Sequence, residues 1–448
     1  MPVLQTPPDS PSLLATDRRH VWHPFTQMQE YGEVPGLAIA SGQGGWLTDT
    51  EGRTYLDGNA SIWTNVHGHN DPDLNAALIR QLDRVAHSTM LGLTHPTGTE
   101  LAAELAALAP PGLSRVFFTD NGAGAVEVAL KLSFQYWQLR GRPEKRGAIG
   151  MAEGYHGDTF GAMAVGDSGF FHDRFRSWCF PTDHFPAPHC RELAGRVRAA
   201  DSAASLAGLR QLLEEKAAQT ACLILEPSVQ GAAGMRQQPP GFVAAVAALC
   251  REFEVHLILD EVFVAFGRLG SMLVCSAEGV VPDFLCLAKG LTAGYLPLAA
   301  TLVQEEIYAA FLGSYASGRA FFHGHTFTGN PLAAAVALEN IRKLRPLLAD
   351  GIVRDRIACF GQRLESTLAR HTGVREVRQR GLAAAVELEA RSMERRVGLE
   401  VCLRAREHGL LLRPLGDSLL LVPPLCLTPS ELGQLVDRTA AALADIYA

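Results

Sequence analysis

The sequence predicts an α/β fold in which a large domain with a mostly parallel central sheet is joined to a small α+β domain built from both chain ends. Two observations carry this prediction. Helix-like and strand-like segments alternate up to about residue 335, which is typical of βαβ units and a parallel sheet. Short alternating strands with turn signals precede this stretch, and mixed strand and helix patterns follow it. At 448 residues the chain is long enough for more than one domain.

These patterns divide the chain into four segments. We expect a mobile amino-terminal arm at 1–18, the first part of the small domain at 19–66, the large domain at 67–335 and the rest of the small domain at 336–448. The stretch "GLAIASGQGGWLTDTEGRTYLDGN" predicts a small antiparallel sheet. Near the carboxyl end, "GLLLRPLGDSLLLVPP" predicts a hairpin, and "TPSE" predicts a capping box that opens the last helix.

The composition argues against several classes of function. The 40 basic and 47 acidic residues give a net charge of −7 with no long run of either sign, which speaks against binding to nucleic acid or to an anionic membrane. We find neither a signal peptide pattern nor a run of 18 apolar residues, so we expect no membrane span. The nine cysteines are scattered without a CxxC pair, which is typical of a reduced, cytoplasmic protein.

Three apolar strands of the large domain each end in a polar residue of a different kind. "ACLILEP" ends at Glu226, "VHLILDEV" at Asp260 and "FLCLAKG" at Lys289. Because ligands bind beyond the carboxyl ends of parallel strands, we expect these side chains to converge on one crevice. Among only five lysines, Lys289 alone follows an apolar strand, where desolvation lowers the pKa of the amine and makes it nucleophilic. The alternative is a lysine that extends from the strand end into water.

Two further segments predict a place for a flat, phosphorylated ligand. "SRVFFTDNGAGAVEVALKLSFQYW" indicates a strand, a turn of small residues at 120–124 and a helix whose free N–H groups suit a phosphate. Tyr155 lies between glycines in "GYHGDTFGAMAV", which lets a flat ring come close. A reactive lysine, a carboxylate, a phosphate cradle and an aromatic platform are the groups that pyridoxal 5'-phosphate needs. A class I aldolase needs the lysine but neither the phosphate helix nor the acid.

The motifs resemble those of the class III aminotransferases of fold type I over nearly the whole chain. "LDEVFVAFGRLG" at 259–270 and "LAKGLTAG" at 287–294 are similar to the aspartate and lysine blocks of that class. Further blocks, "HVWHPFTQM", "NVHGHN", "GYHGDTFGAM", "HGHTFTGNPLA" and "RPLG", resemble the 7,8-diaminononanoate synthases of biotin biosynthesis. The resemblance implies transamination of 8-amino-7-oxononanoate to 7,8-diaminononanoate with pyridoxal phosphate as the cofactor and S-adenosylmethionine or lysine as the donor. It also implies a homodimer with its active site at the interface.

The resemblance further implies roles for individual residues. Lys289 would be the Schiff-base lysine and proton shuttle, Asp260 would hold the pyridine nitrogen, and Tyr155 would stack on the ring. The other implied cofactor contacts are Gly122, Ala123, His325 and Thr326, the last reaching the phosphate of the other subunit. The implied substrate contacts are Phe25, Ile62, Trp63, Tyr155, Gly324, Arg413 and Arg268, with Arg413 pairing with the substrate carboxylate and Arg268 at the substrate mouth.

Departures from the family pattern concern the amino donor. Most of the synthases that this chain resembles have a tyrosine where it has Phe25, a Trp-Trp pair where it has Ile62-Trp63, and usually a proline where it has His325. A smaller branch, linked to lysine as the donor, resembles this chain at these positions. Two alternatives stay open: a class III aminotransferase for other ω-amino acids, and a non-catalytic regulatory protein that binds the coenzyme. The "HGH" triplets at 67–69 and 323–325 have no acidic or cysteine partner at zinc-like spacing, so we expect no metal site.

Overall fold

A computed structural model describes residues 10–389 and 395–447 of the chain. Its strands are β1 (Ile39–Gln43), β2 (Trp46–Asp49), β3 (Thr54–Asp57), β4 (Leu113–Thr119), β5 (Gly147–Met151), β6 (Asp183–Phe185), β7 (His189–Leu193), β8 (Arg196–Asp201), β9 (Thr220–Leu225), β10 (Val229–Gln230), β11 (Arg236–Gln237), β12 (His256–Asp260), β13 (Phe284–Leu287), β14 (Ala299–Gln304), β15 (Val374–Arg380), β16 (Ala383–Leu388), β17 (Leu410–Leu411), β18 (Arg413–Leu415) and β19 (Ser418–Leu421). Its helices are α1 (Ser10–His20), α2 (Met28–Glu33), α3 (Ala60–Trp63), α4 (Pro72–Leu82), α5 (Pro96–Leu108), α6 (Gly122–Leu139), α7 (Phe160–Val165), α8 (Ala203–Lys216), α9 (Phe242–Glu252), α10 (Val274–Ala277), α11 (Glu305–Ala310), α12 (Pro331–Ala349), α13 (Ile352–Ser366), α14 (Val397–Glu407) and α15 (Pro429–Tyr447).

A seven-stranded sheet lies at the centre of the large domain, in the order β4-β14-β13-β12-β9-β5-β6. Neighbouring strands from β13 to β6 are parallel, whereas β14 runs antiparallel to both β13 and β4. Every residue of β9, β12 and β13 is buried, because both faces of the sheet are covered, and this explains their continuous apolar sequences. The prediction of a mostly parallel central sheet is confirmed.

Both ends of the chain contribute to one small sheet. β1, β2 and β3 form an antiparallel meander, and β17 pairs parallel to β3 with Leu410 opposite Leu56. A second sheet, in the order β15-β16-β19-β18, contains the predicted hairpin of β18 and β19. Thr428 and Glu431 exchange the hydrogen bonds of the predicted capping box at the start of α15. The segment boundaries set from the sequence stay predictions.

The amino-terminal arm is only partly described. Residues 1–9 lie outside the described residues, and the following residues form α1. Leu14 of α1 packs on Gly36, where an added Cβ would come within 2.9 Å of a Leu14 methyl carbon. The mobility expected of the arm stays a prediction. Within the described ranges, none of the helices is both long and apolar enough to cross a bilayer.

The segment after β3 turns in the left-handed sense. Residues 60–63 all have φ between 46° and 68°, a conformation that costs roughly 1–2 kcal/mol for each non-glycine residue. The buried carboxylate of Asp57 offsets part of this cost, because it accepts hydrogen bonds from Ser61 N–H and His69 Nε2, both at 3.0 Å. The turn ends at Trp63 and fixes the position of its indole ring.

Candidate active site

A cavity of about 680 Å³ opens at the carboxyl edge of the large sheet. The segments that follow β4, β5, β9, β12 and β13 form much of its wall, because parallel strands all end at this edge. The predicted site residues that line the cavity are Trp63, Gly122, Ala123, Tyr155, Asp260 and Lys289, together with Glu226. The three polar strand ends therefore converge on one crevice, as the sequence predicts.

Lys289 lies on the floor of this cavity in an apolar and aromatic setting. It follows β13 after one residue, and its backbone has a positive φ of 46°. Its Nζ atom lies 4.8 Å from the centroid of the Trp63 ring and 5.6 Å from that of Phe263. Burial lowers the pKa of this amine, although the nearby carboxylates of Asp260 and Glu226 act in the opposite direction. A larger fraction of the amine is therefore neutral and nucleophilic than for a lysine in water.

Asp260 is held by two donors at the end of β12. Its Oδ1 accepts a hydrogen bond from Val262 N–H at 3.1 Å, and its Oδ2 lies 2.7 Å from Nδ1 of His156. Both side chains of the Asp260 and His156 pair are buried. A carboxylate fixed in this way keeps one orientation in the cavity, which suits it to hold a ring nitrogen.

The start of α6 forms an anion-binding corner. Asn121 caps the helix, with its Oδ1 accepting from Gly124 N–H at 2.8 Å. In the described part of the chain, the N–H groups of Gly122 and Ala123 meet no acceptor and are left for a ligand. A side chain at 122 would not fit, because an added Cβ would lie 2.8 Å from a methyl carbon of Val262.

Tyr155 is fixed at both its backbone and its hydroxyl. Its N–H donates to Oε1 of Glu226 at 3.1 Å, and its hydroxyl donates to Oδ2 of Asp158 at 2.9 Å. Burial raises the pKa of the Tyr155 hydroxyl, and the Asp158 carboxylate adds to the effect, so the phenol stays protonated. Burial likewise raises the pKa of Glu226 to about 7. The Oε2 atom of Glu226 also accepts from Gly231 N–H at 2.9 Å. Glu226 therefore connects the backbone at Tyr155 to the backbone at Gly231.

Arg268 is not among the residues that line the cavity, and the place at the substrate mouth expected of it stays a prediction. Its guanidinium is buried and donates to the carbonyls of Leu382 and Pro423 at 3.0 and 2.6 Å and to that of Asn65 at 3.4 Å. Burial lowers its pKa to about 9. Backbone carbonyls take up three of its five N–H donors, so Arg268 joins the segments around residues 65, 382 and 423.

Other expected substrate contacts lie outside the wall of the cavity in the single chain. Phe25 is 56% exposed and packs edge-on against Phe171 at 5.7 Å between centroids, and Ile62 is 49% exposed. Arg413, in β18, has neither an ion pair nor a side-chain hydrogen bond among residues 10–389 and 395–447. Among the described residues, its guanidinium is thus left for a ligand.

The segment 323–326 lies near the anion-binding corner at the start of α6 without lining the cavity. Gly324 and Thr326 are exposed, whereas Nδ1 of His325 lies 3.2 Å from Oδ2 of Asp120, a residue of the cavity wall. The cofactor and substrate roles expected of these three residues stay predictions.

Across the described ranges, no group of three or more histidine, cysteine or acidic side chains has the geometry to hold a metal ion.

Sequence reasoning assigned no role to His156 or Asp158, although both lie in the "GYHGD" stretch around Tyr155. The pairing of His156 with Asp260 spans 104 residues, and the cap that Glu226 places on Tyr155 spans 71 residues. Their closeness to Tyr155 in the sequence is the one signal that could have indicated a role for these two residues.

Comparison with known proteins gives the family. Residues 27–443 match the family described as aminotransferase class-III. The chain belongs to the class III aminotransferases. It is 48% identical to the adenosylmethionine-8-amino-7-oxononanoate aminotransferase of Geobacter sulfurreducens, with 96% of each chain covered. The solved structure of the Methanocaldococcus jannaschii enzyme of that name superposes with a TM-score of 0.92 at 38% identity, covering 98% of this chain and 99% of the other. An (S)-enantioselective omega-transaminase from Thermomicrobium roseum gives a TM-score of 0.89 at 33% identity, with 98% and 99% covered.

Class III aminotransferases are fold type I enzymes that depend on pyridoxal phosphate, and the residues of the cavity fit this coenzyme. The free N–H groups of Gly122 and Ala123 would hold its phosphate, and Asp260 would hold its pyridine nitrogen. Tyr155 offers an aromatic face, and Lys289 offers its amine to the cavity. The cavity of this aminotransferase therefore offers groups suited to the phosphate, the pyridine nitrogen, the ring face and the aldehyde of the coenzyme.

Proposed function

We propose that this aminotransferase transfers an amino group onto 8-amino-7-oxononanoate, which gives 7,8-diaminononanoate, a step of biotin biosynthesis. The observation that carries the proposal is its similarity, over nearly the full length, to proteins named adenosylmethionine-8-amino-7-oxononanoate aminotransferase at 48, 44 and 40% identity. The regulatory alternative is set aside, because the family is one of enzymes and Lys289 and Asp260 are both present.

The chemistry of the cavity supports an acceptor with a long apolar chain. Polar groups gather around Lys289 and Asp260, whereas Trp63, Phe263 and the run 296–298 (Leu, Pro, Leu) give an apolar wall. An aliphatic chain gains about 25 cal/mol for each Å² that it buries on such a wall. Arg413 lacks an anionic partner among the described residues, so a carboxylate at the far end of the acceptor could form a bidentate pair with it.

The residues of the cavity divide the work of amino transfer. The coenzyme, when bound, supplies the aldehyde and the electron-withdrawing ring. Lys289 Nζ, kept partly neutral by burial, would take a proton from the substrate carbon and return it. Asp260 would keep the ring oriented through its hydrogen bonds to Val262 and His156. The Trp63 and Phe263 rings place apolar surface beside the amine.

We further infer a cytoplasmic homodimer whose two sites are shared between subunits, with S-adenosylmethionine or lysine as the donor. The exposed Thr326 and the exposed aromatic residues Phe322 and Phe327 beside it form a surface that a second copy would cover. In that arrangement Thr326 would reach the anion-binding corner of the partner subunit. The absence of a tyrosine at 25 and of a second tryptophan at 62 favours lysine over S-adenosylmethionine.

The second candidate is an aminotransferase that acts on other ω-amino compounds. The likeness to the Thermomicrobium roseum omega-transaminase, at 33% identity and a TM-score of 0.89, favours it. The two candidates differ in the acceptor, since only the first requires the keto group of 8-amino-7-oxononanoate.

The deciding experiment is a direct assay with the purified protein loaded with pyridoxal phosphate. 8-Amino-7-oxononanoate is offered with either lysine or S-adenosylmethionine, and 7,8-diaminononanoate is measured by mass spectrometry. We expect product with at least one donor. Product formation only from ω-amino compounds with simple ketoacids would instead establish the second candidate.

A further inference from the structure

His172 lies just beyond the cavity wall and has no part in the roles described so far. It stands between two short 3₁₀ turns, Gly169–Phe171 and Asp173–Trp178, that follow α7. Its imidazole is 3% exposed, and Nε2 lies 3.1 Å from Oδ1 of Asp158. A buried imidazole thus faces a carboxylate that is itself half exposed.

Asp158 connects this imidazole to Tyr155. The second carboxylate oxygen, Oδ2, accepts from the Tyr155 hydroxyl at 2.9 Å. The rings of Tyr155 and His172 also stack, with centroids 5.8 Å apart and planes 25° apart. His172 thus touches Tyr155 in two ways: by its ring face, and through Asp158 by its Nε2 atom.

We propose that His172 is a positioning residue that fixes Tyr155 in the cavity, and that it makes the Tyr155 oxygen a hydrogen-bond acceptor for the amino group of the incoming donor. An ionised carboxylate can only accept hydrogen bonds, so the Tyr155 hydroxyl must donate its proton to Asp158. The lone pairs of the phenol oxygen then remain for the cavity, which both Tyr155 and Asp158 line.

The charge states agree with this arrangement. The His172 hydrogen bond holds the pKa of Asp158 below its usual value, with a further contribution from Tyr155, although burial acts in the opposite direction. Asp158 therefore stays ionised. Without His172, the half-exposed carboxylate could turn into water and release the Tyr155 hydroxyl to rotate.

Three variants separate the two contacts of His172. His172→Phe keeps a ring to stack on Tyr155 but removes the hydrogen bond to Asp158. His172→Gln restores a donor without the ring, and His172→Ala removes both. Each is made in the natural chain and in a Tyr155→Phe chain, which has no hydroxyl to position. Phe175→Leu, on the 3₁₀ turn that follows His172 and half exposed, is the matched control.

The first measurement is the single-turnover reaction of lysine or S-adenosylmethionine with the coenzyme-loaded protein. We expect His172→Phe to lower the rate constant about tenfold, His172→Gln to recover part of it, and the Tyr155→Phe chain to lose less than about twofold when His172 is replaced. Equal losses in both chains would show a merely structural role and overturn the proposal.

The second measurement needs no turnover. Coenzyme affinity of the apoprotein, followed by the quenching of protein fluorescence, should fall several-fold in His172→Ala and stay within about twofold in His172→Phe and in the control, because stacking holds the Tyr155 ring. Unchanged affinity in His172→Ala would contradict the proposal.

The inference rests on the proposed function only for the choice of donors. Failure of the unaltered protein with both donors would count against that function, and the affinity series would still decide the role of His172.

Discussion

Nδ1 of His156 lies 2.7 Å from Oδ2 of Asp260, in a pair of side chains that are both buried beneath the cavity. Removal of one partner of a buried hydrogen bond to a charged group costs about 1–3 kcal/mol. His156→Phe should therefore lower the thermal stability and, because Asp260 loses its fixed orientation, lower kcat by roughly ten- to a hundredfold. His156→Asn, whose amide can replace the Nδ1 donor, should recover part of the loss. His189→Phe, at an exposed position of β7, is the control. A kcat within twofold of the unaltered protein in His156→Phe would contradict this role.

Lys289 should carry the coenzyme. The purified protein is expected to be yellow, and borohydride should abolish the absorbance band by fixing the carbon–nitrogen bond between the coenzyme and Nζ. Peptide mass mapping should then find the label on Lys289. Lys131 is the matched control, since it is exposed to solvent on α6 with its Nζ 2.9 Å from a ring nitrogen of His323. A label on Lys131 would refute the site assignment, and Lys289→Ala should take up no borohydride-stable label.

Mixed dimers test whether Thr326 serves the neighbouring subunit. If it does, a dimer of a Lys289→Ala chain and a Thr326→Ala chain contains one intact site and one site with both lesions. Such a dimer, purified with two different affinity tags, should have about half of the activity of the unaltered dimer. If Thr326 serves its own subunit, the mixed dimer has no intact site and should show at most half of the activity of the Thr326→Ala dimer.

Two buried carboxyl groups make the stability of the protein depend on pH. Burial raises the pKa of Glu226 and of Glu261 to about 7 in the folded chain, from 4.5 in the absence of burial. The folded state therefore binds more protons than the unfolded state between about pH 4.5 and 7, and stability from these groups is lost as pH rises through that window. The decrease in Tm of the apoprotein from pH 5 to 7.5 should be smaller in Glu226→Gln. Equal decreases in both proteins would contradict the raised pKa of Glu226.

The amino donor is expected to depend on positions 25 and 62. A tyrosine and a second tryptophan there would give a surface for stacking an adenosyl group, and base-on-aromatic stacking is worth roughly 1–3 kcal/mol in other contexts. This chain has Phe25 and Ile62, so half-reaction kinetics should favour lysine over S-adenosylmethionine. The double variant Phe25→Tyr with Ile62→Trp should shift the preference towards the adenosyl donor. Efficient reaction of the unaltered protein with S-adenosylmethionine and none with lysine would refute this expectation.

Much of the site could be predicted from single segments of the sequence. The apolar runs that end at Glu226, Asp260 and Lys289 predict parallel strands, and the geometry of a parallel sheet then brings their ends together. The small residues at 122–124 likewise predict an open helix start. Each of these predictions depends on local patterns and on one general rule of sheet architecture.

The remaining features depend on contacts between distant segments. The surroundings of Arg268 come from residues 65, 382 and 423, and nothing in "FGR" indicates which carbonyls will enclose it. The pairing of His156 with Asp260 is equally non-local. The left-handed turn at 60–63 contains no glycine, so the residue types that usually mark a positive φ are missing.

That turn bears on how the enzyme could change its substrates over evolutionary time. The backbone around Ile62 is held left-handed by contacts to residues outside the turn, in particular by the hydrogen bond that Ser61 N–H donates to the carboxylate of Asp57. The conformational preference of the residue at 62 does not contribute. Isoleucine is branched at Cβ and tolerates a positive φ poorly, so an exchange for an unbranched residue adds no backbone strain. A new side chain at position 62 therefore carries little risk of unfolding the protein, so selection for a new donor can act there.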